Sequence, residues 1–182
     1  SIIHCPLVYA RVGIALDSFA RYKNHGIKMT MGTDCFPPDL FENIRIGNFY
    51  ALYIEGNVEE NRLAKFYNAA TIGGADALGR RDLGRLESGS AADLIVMPLD
   101  DFTLGVMDDP FKTIILTATG RHIKDVMIAG RWVMKDRVLP GFDFDELRLR
   151  AEEYYTRMKM AYKERSEHPN LTLEEYYQPF LR

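Results

Sequence analysis

The sequence IKMTMGTDCFPPD, at residues Ile27–Asp39, is the stretch from which the fold of this chain can be worked out. Its apolar beginning predicts a short strand that stops at Gly32, and Asp34 lies in the first turn after that strand. A carboxylate at the carboxyl end of a buried parallel strand lies where α/β folds place their chemistry. The alternative is a turn aspartate that only hydrogen-bonds its own backbone. Asp34 is therefore the first candidate for a functional residue.

A second short strand precedes this stretch. The β-branched run at residues 2–5 ends at a proline and suits a fully buried parallel strand. The spacing of apolar residues predicts a helix over residues 14–25, and Gly26 is a fitting left-handed C-cap. Strand, helix and strand with short joints form a βαβ crossover, in which the two strands are parallel neighbours. His4 and Asp34 are therefore expected at the same carboxyl edge of the sheet.

Helices follow as far as Gly79. Asp39 is a good N-cap for a helix that runs to about Glu55, with Glu42 as its capping-box partner. Two more helices are predicted over residues 59–70 and 71–78, the second capped by Thr71. Gly73 and Gly74 would weaken that helix in isolation, so we expect close backbone packing there.

A small, mainly antiparallel β section is predicted after Gly79. Strand patterns occur at residues 86–89, which end in a turn, and at residues 92–98. The pair Ala129-Gly130 lies between two apolar runs and predicts a hairpin. Residues 111–117 are apolar and β-branched, and their pattern leaves helix and strand open. A long amphipathic helix is predicted over residues 143–166, and a short helix and tail that pack through aromatic side chains over residues 171–182.

Length and composition limit the possible classes. The chain has 182 residues, enough for one domain or one and a half, whereas a complete eight-fold (β/α) barrel needs at least about 200. The net charge is −3 without blocks of like charge, so neither a nucleic-acid partner nor an acidic tail is expected. No apolar stretch approaches the ~20 residues of a membrane span. The sequence begins directly in a strand, which indicates a piece cut from a longer protein.

The two cysteines, Cys5 and Cys35, form no CxxC pair. So few cysteines, without a secretory signal, predict a reducing compartment, and we expect a cytoplasmic protein. Both cysteines are expected to act as small apolar packing residues.

Three motifs together resemble the C-terminal half of the amidohydrolase superfamily. They are His4-Cys5-Pro6 followed by Met31-Gly32-Thr33-Asp34, the stretch ATIGGADALG at residues 70–79, and the stretch LGRLESGSAADLIV at residues 83–96 with the hairpin after it. The resemblance covers about residues 1–141. It is closest to the branch of chlorohydrolases and aminohydrolases that includes triazine hydrolases and guanine and cytosine deaminases.

This resemblance implies an α/β fold that is part of a (β/α)₈ TIM barrel. Residues 1–80 would be its last two βα units, and residues 81–141 the C-terminal part of a small composite β-sandwich domain. Residues 142–182 resemble no family and would form a helical extension. The missing N-terminal barrel segment, or another chain, would then be a partner, and we also expect a homo-oligomer.

The resemblance also implies the site residues. Asp34 matches the metal-bound, catalytic Asp after the eighth strand, and the ligand histidines of the family would precede Ser1. Those histidines favour Zn²⁺, with Fe²⁺ as the alternative. His4, Tyr9 and Arg11 would bind a small-molecule substrate. The family usually has a Ser-Asn pair after His-Cys-Pro, whereas this chain has Val8 and Tyr9, which argues against copying a triazine or guanine substrate.

The remaining histidines do not complete a metal site. His25 is expected to be a positive end charge on its helix, His122 enters the hairpin, and His168 lies in the C-terminal linker. Two functions therefore remain open. The chain is part of a metal-dependent hydrolase that acts on C–N or C–Cl bonds of a small heterocyclic or amidine-like substrate. Alternatively, it is a truncated remnant without catalysis that serves as a structural or interaction module.

Overall fold

The computed structural model describes residues 1–34 and 37–167 together with residues 170, 172 and 175. The chain divides into two compact units, Ser1–Val138 and Leu139–Arg182. The strands of the first unit are β1 Ile2–His4, β2 Met29–Met31, β3 Leu94–Val96, β4 Asp125–Ile128 and β5 Arg131–Met134. Its helices are α1 Pro6–Arg11, α2 Phe19–Asn24, α3 Leu40–Glu55, α4 Leu63–Asn68, α5 Gly74–Ala77 and α6 Pro110–Thr117. The second unit contains α7, Phe144–Glu164.

The parallel pairing of the first two strands is confirmed. Ile2 pairs with Met29 and His4 with Met31, and the Gly32 amide donates to the His4 carbonyl at 3.0 Å beyond the last pair. All of β2 is buried. The expectation that β1 is fully buried was wrong, because Ile3 is 64% exposed. Nothing in the described part of the chain covers that face of the strand.

The helix between these strands is shorter than predicted and is preceded by another. Gly13 adopts φ +73°, a left-handed conformation that ends α1 rather than allowing helix at residues 14–18. Ser18 then starts α2, where its hydroxyl accepts from the Arg21 amide at 2.9 Å. The predicted left-handed Gly26 is confirmed, with φ +77°.

Helix α3 begins as predicted, since the Asp39 carboxylate caps the amides of Phe41 and Glu42. The predicted break at Thr71 was wrong. A π-helical turn, Ala69–Gly73, joins α4 to α5 without a gap, and the Thr71 hydroxyl donates back to the Tyr67 carbonyl. Close packing is confirmed at Gly73, where a Cβ would lie 3.0 Å from the Met29 carbonyl oxygen, but Gly74 has open space around it.

The core lies between the two parallel strands and the surrounding helices. Phe19 and Phe66 stack at its centre with ring centroids 4.2 Å apart. Helix α6 joins the same core through Ile115, which is fully buried. Arg45 of α3 holds the end of α6 by donating to the carbonyls of Ile115 and Ala118. The strands therefore pack against a helical layer in which α3 and α6 are joined by Arg45.

The antiparallel section forms a sheet of order β3-β4-β5. The hairpin is confirmed, since Ala129 and Gly130 both have positive φ between β4 and β5. The predicted strand near Leu86 was wrong: the side chain is 82% exposed, and only the turn after it forms. Residues 110–117 are helical because Asp109 caps the amides of Phe111 and Lys112 and Pro110 occupies the first turn.

The second unit is described by itself. Asp143 caps α7 as predicted, and i,i+4 ion pairs such as Arg148–Glu152 lie along the helix. Among the described residues, no helix is both long enough and apolar enough to span a bilayer. The aromatic tail predicted over residues 171–182 lies almost entirely outside the described residues.

Candidate functional site

Asp34 lies just beyond the carboxyl end of β2. It is exposed and adopts a left-handed backbone conformation with φ 44°. Non-glycine residues adopt this conformation rarely, and Asp is among those that tolerate it best. No hydrogen bond or ion pair engages its carboxylate among the residues that the structure describes. Among the described residues, Asp34 is thus an exposed strand-end carboxylate without a side-chain contact.

His4 ends β1 at the same edge but is buried, with only 4% of its surface exposed. Its ring lies near Phe19, and a Cβ at Gly47 of α3 would come within 3.6 Å of its Cδ2. Burial lowers the pKa of His4 from 6.5 to about 4, so the ring is neutral at pH 7. Its Nδ1 is buried, and no hydrogen-bond partner reaches it within residues 1–34 and 37–167.

Tyr9 and Arg11 lie on α1, directly after β1. The structure brings His4 and Tyr9 together, with ring centroids 6.0 Å apart. Arg11 is exposed in the last turn of this short helix. Within the described part of the chain, no ring contact, ion pair or hydrogen bond joins Asp34 to these three side chains. Their common feature is that they follow the carboxyl ends of neighbouring parallel strands.

A cavity of about 620 Å³ opens elsewhere in the first unit. It lies between the start of α3 and the β3–β4 sheet and is lined by apolar side chains that include Phe41, Tyr67 and Val126. Asp34, His4 and Tyr9 do not line it. The carboxyl edge of the parallel strands remains the better candidate site, because it holds an exposed carboxylate that no described residue engages.

Two polar residues near this edge were not singled out as site residues. Asn43 of α3 is fully buried and accepts a hydrogen bond from the Leu7 amide of α1. Asp39 was predicted only as a cap, but its Oδ2 also accepts from the Gly120 amide at 2.8 Å. Both contacts join residues far apart in the chain, so no local pattern could reveal them.

The other histidines have local roles. His25 follows α2, and its Nδ1 lies 2.8 Å from the Arg21 carbonyl oxygen, as expected for a residue at a helix end. His122 bonds through its two ring nitrogens to Thr119 and Thr103. His168 lies outside the described residues.

These residues fit a metal only in part. The Asp34 carboxylate is a hard oxygen donor and could serve as one ligand. Within residues 1–34 and 37–167, however, no three His, Cys, Asp or Glu side chains are grouped so that they could hold a metal ion. A catalytic Zn²⁺ needs about three protein ligands. Asp34 would therefore need ligands from beyond the described residues.

Comparison with known proteins finds two deaminases and a chlorohydrolase among the proteins similar to this chain. A 5-methylthioadenosine/S-adenosylhomocysteine deaminase of Teredinibacter turnerae is 26% identical over 158 residues, covering 84% of this chain and 36% of the relative. An adenosine deaminase from Xanthomonas campestris with bound zinc superimposes with a TM-score of 0.80 at 25% identity, covering 86% of this chain and 37% of that structure. Zinc-complexed atrazine chlorohydrolase from Arthrobacter aurescens TC1 gives a TM-score of 0.70 at 25% identity, covering 84% and 35%.

The chain thus spans little more than a third of the length of these relatives. The model of the amidohydrolase family matches residues 1–133, which include β1, β2, Asp34 and most of the antiparallel sheet. With most of its length matched by that model, this chain belongs to the amidohydrolase family.

Proposed function

We propose that this chain is the C-terminal part of a metal-dependent hydrolase that cleaves a C–N or C–Cl bond of a small heterocyclic substrate. The observation that carries the proposal is the exposed carboxylate of Asp34 at the end of a buried parallel strand, within the region matched by the family model. No described residue contacts this carboxylate. Membership of the family supports the reaction class. The small share of each relative that is covered supports the view that the chain is one part of the enzyme.

In this proposal Asp34 would hold a divalent metal, Zn²⁺ or Fe²⁺, together with ligands from outside the described residues. When bound, such a metal would lower the pKa of a water molecule so that it is nucleophilic at neutral pH. Asp34 takes the proton from the attacking water and passes it to the leaving group, which is general acid–base catalysis. Zn²⁺ is favoured because both solved relatives named above contain zinc.

The fold in this proposal is the end of a (β/α)₈ barrel. Strands β1 and β2 would be the last two barrel strands, within residues 1–80. The antiparallel sheet within residues 81–141 would be part of a composite β-sandwich, and residues 142–182 a helical extension. The exposed Ile3 supports this arrangement, because one face of β1 lacks the cover that an adjoining barrel segment or chain would provide.

Tyr9 and Arg11 would contact the substrate from α1. Arg11 is exposed and can approach a polar or anionic substituent. His4 is too deeply buried to contact the substrate directly. Its neutral ring would instead pack beside Tyr9 and support that side chain. An amino-purine nucleoside is the favoured substrate class, because the curated relative acts as a deaminase and a solved relative is an adenosine deaminase.

The alternative of a non-catalytic remnant is less well supported. The relatives are enzymes by name. No contact among the described residues gives the exposed carboxylate of Asp34 a structural role. A remnant would be a stable, metal-free protein without turnover, held together by repacking or oligomerisation. Cytoplasmic location and homo-oligomer formation remain predictions.

The test is the native protein purified from its source. We expect a mass well above 20.9 kDa, or a stable complex with a second chain, and bound metal by elemental analysis. We then expect ammonia release from 5′-methylthioadenosine or adenosine, with chloride release from atrazine as the competing outcome. Metal removal by a chelator should abolish turnover, and Zn²⁺ should restore it. A metal-free 20.9 kDa monomer without any of these activities would contradict the proposal.

A further inference from the structure

We propose that Asn43 is a positioning residue of this site, which caps α1 from a distance and so fixes the helix that carries Tyr9 and Arg11. The inference rests on the proposed function for its catalytic meaning, but the cap itself can be tested without turnover.

Helix α1 begins without a cap of its own. Its N-cap residue, Cys5, makes no side-chain capping hydrogen bond, and Pro6 occupies the first turn. The first amides of a helix have no partner inside the helix and need an acceptor from elsewhere. The Leu7 amide finds that acceptor in Asn43 Oδ1, at 3.3 Å and 36 residues away.

The orientation of the Asn43 amide is fixed by a second bond. Its Nδ2 donates to the Asp39 carbonyl at 2.9 Å, which leaves Oδ1 directed at Leu7. The side chain is fully buried, and both of its polar groups are engaged. A buried amide satisfied in this way specifies one arrangement of the segments that it joins.

The two segments joined by Asn43 belong to the two sides of the candidate site. Leu7 follows β1 and precedes Tyr9 on α1, and Asp39 ends the connection that follows β2 and Asp34. The hydrogen bonds of Asn43 therefore hold the helix with Tyr9 and Arg11 against the start of α3. Without them α1 loses its cap and its fixed place at the carboxyl edge.

Asn48 provides a matched control on the same helix. It is 2% exposed, and its Nδ2 donates to the Asn61 carbonyl at 2.6 Å. This contact joins α3 to the segment before α4 and does not involve α1. Removing either amide deletes a buried side chain from α3, but only the change at Asn43 affects α1.

The experiment measures amide hydrogen exchange in the native protein and in its variants Asn43→Ala and Asn48→Ala. We expect exchange at Leu7, Val8 and Tyr9 to be at least about tenfold faster in Asn43→Ala than in Asn48→Ala, because an uncapped first turn opens more readily. The pair Asn43→Leu and Asn48→Leu, which keeps side-chain volume, repeats the comparison if the alanine variants fold poorly. Equal exchange at α1 in both members of a folded pair would overturn the inference.

Kinetics in the native enzyme separate positioning from stability. We expect Asn43→Ala to raise KM by about tenfold relative to Asn48→Ala, because misplaced Tyr9 and Arg11 would weaken substrate binding by about that factor. Both variants are measured at a temperature where they are folded. Equal KM values in the two variants would overturn the positioning role. If the native enzyme shows no turnover while α1 exchanges as expected, the proposed function fails and the capping of α1 by Asn43 stands.

Discussion

The Asp39 carboxylate joins the start of α3 to the turn before β4, because its Oδ2 accepts the Gly120 amide at 2.8 Å across 81 residues of sequence. Its Oδ1 meanwhile caps the amides of Phe41 and Glu42. Asp39→Asn should keep the cap but present an amide donor to the Gly120 N–H. We expect the free energy of unfolding to fall by about 1.5–3 kcal/mol, the usual contribution of a hydrogen bond to a charged group.

Asp109→Asn is the control for this change. Asp109 caps the amides of Phe111 and Lys112, and its charge at a helix start matches that of Asp39. Among the described residues, the Asp109 carboxylate contacts only these two amides. The variant should therefore lose only the charge–dipole interaction, about 0.3–1 kcal/mol. Urea unfolding of both variants measures the difference, and equal losses would show that the Gly120 contact contributes nothing.

Gly84 lies so close to the backbone of Thr71 that we expect no side chain to be tolerated there. A Cβ there would lie 2.7 Å from the Thr71 carbonyl oxygen, and the residue has φ +70°. Gly84→Ala must therefore strain its own backbone and displace the π-helical turn. We expect it to lose about 1 kcal/mol from the left-handed conformation and about 1–3 kcal/mol more from the displaced backbone.

Gly79→Ala separates these two costs. Gly79 has φ +72°, but nothing lies within 4 Å of a Cβ built on it. Only the conformational cost of about 1 kcal/mol should remain. Thermal unfolding of the two variants gives the comparison, and a Gly79→Ala loss as large as that of Gly84→Ala would mean that the close approach to Thr71 is not important.

The sequence allowed the parallel strands, α3 with its Asp39 cap, α7 with its Asp143 cap and the Ala129-Gly130 hairpin to be predicted. These features rest on local chemistry, namely short β-branched runs, capping carboxylates and a turn that needs positive φ. The errors arose where local signals compete. Gly13 and Ser18 override apolar spacing at residues 14–18. The strand at Leu86 does not form, because no strand in the described part of the chain pairs with it.

Only part of the candidate site could be predicted from the sequence. Asp34 could be chosen because strand-end carboxylates are recognisable from the pattern of a βα unit. The burial of His4 could not, because it depends on Phe19 and Gly47, which are brought to it by two different helices. The Asn43–Leu7 cap is likewise a long-range contact, and an asparagine in the first turns of a helix gives no signal of its distant partner.

The buried His4 should make the stability of this chain depend on pH. Its pKa is about 4 in the folded state, against 6.5 when exposed. The unfolded chain therefore binds a proton at a higher pH than the folded chain, so stability falls as the pH drops from 6.5 towards 4. At about pH 4.5 the loss should be about 2–3 kcal/mol, since one pKa unit is worth 1.36 kcal/mol.

His4→Phe should remove this dependence while retaining an aromatic ring beside Tyr9. The measurement is the free energy of urea unfolding of both proteins at about pH 7.5 and about pH 4.5. Carboxylates titrate alike in the two proteins, so the difference between them isolates His4. A difference that does not change with pH would show that His4 is protonated as readily in the folded chain as in the unfolded one.

Asp34→Asn should separate folding from catalysis at the candidate site. Asn tolerates the left-handed conformation as well as Asp does, and no contact among the described residues depends on the Asp34 charge, so stability should change by less than about 0.5 kcal/mol. In the native enzyme the same change removes the proton carrier, and kcat should fall by about 10²–10⁴.

Asp136→Asn is the control, since Asp136 also has positive φ, 51°, and forms an exposed ion pair with Lys124 in the antiparallel section. That variant should retain full turnover because exposed ion pairs contribute little. Retained activity in Asp34→Asn would show that proton transfer is carried by another residue, whereas unfolding of Asp34→Asn would show that the carboxylate has a structural role.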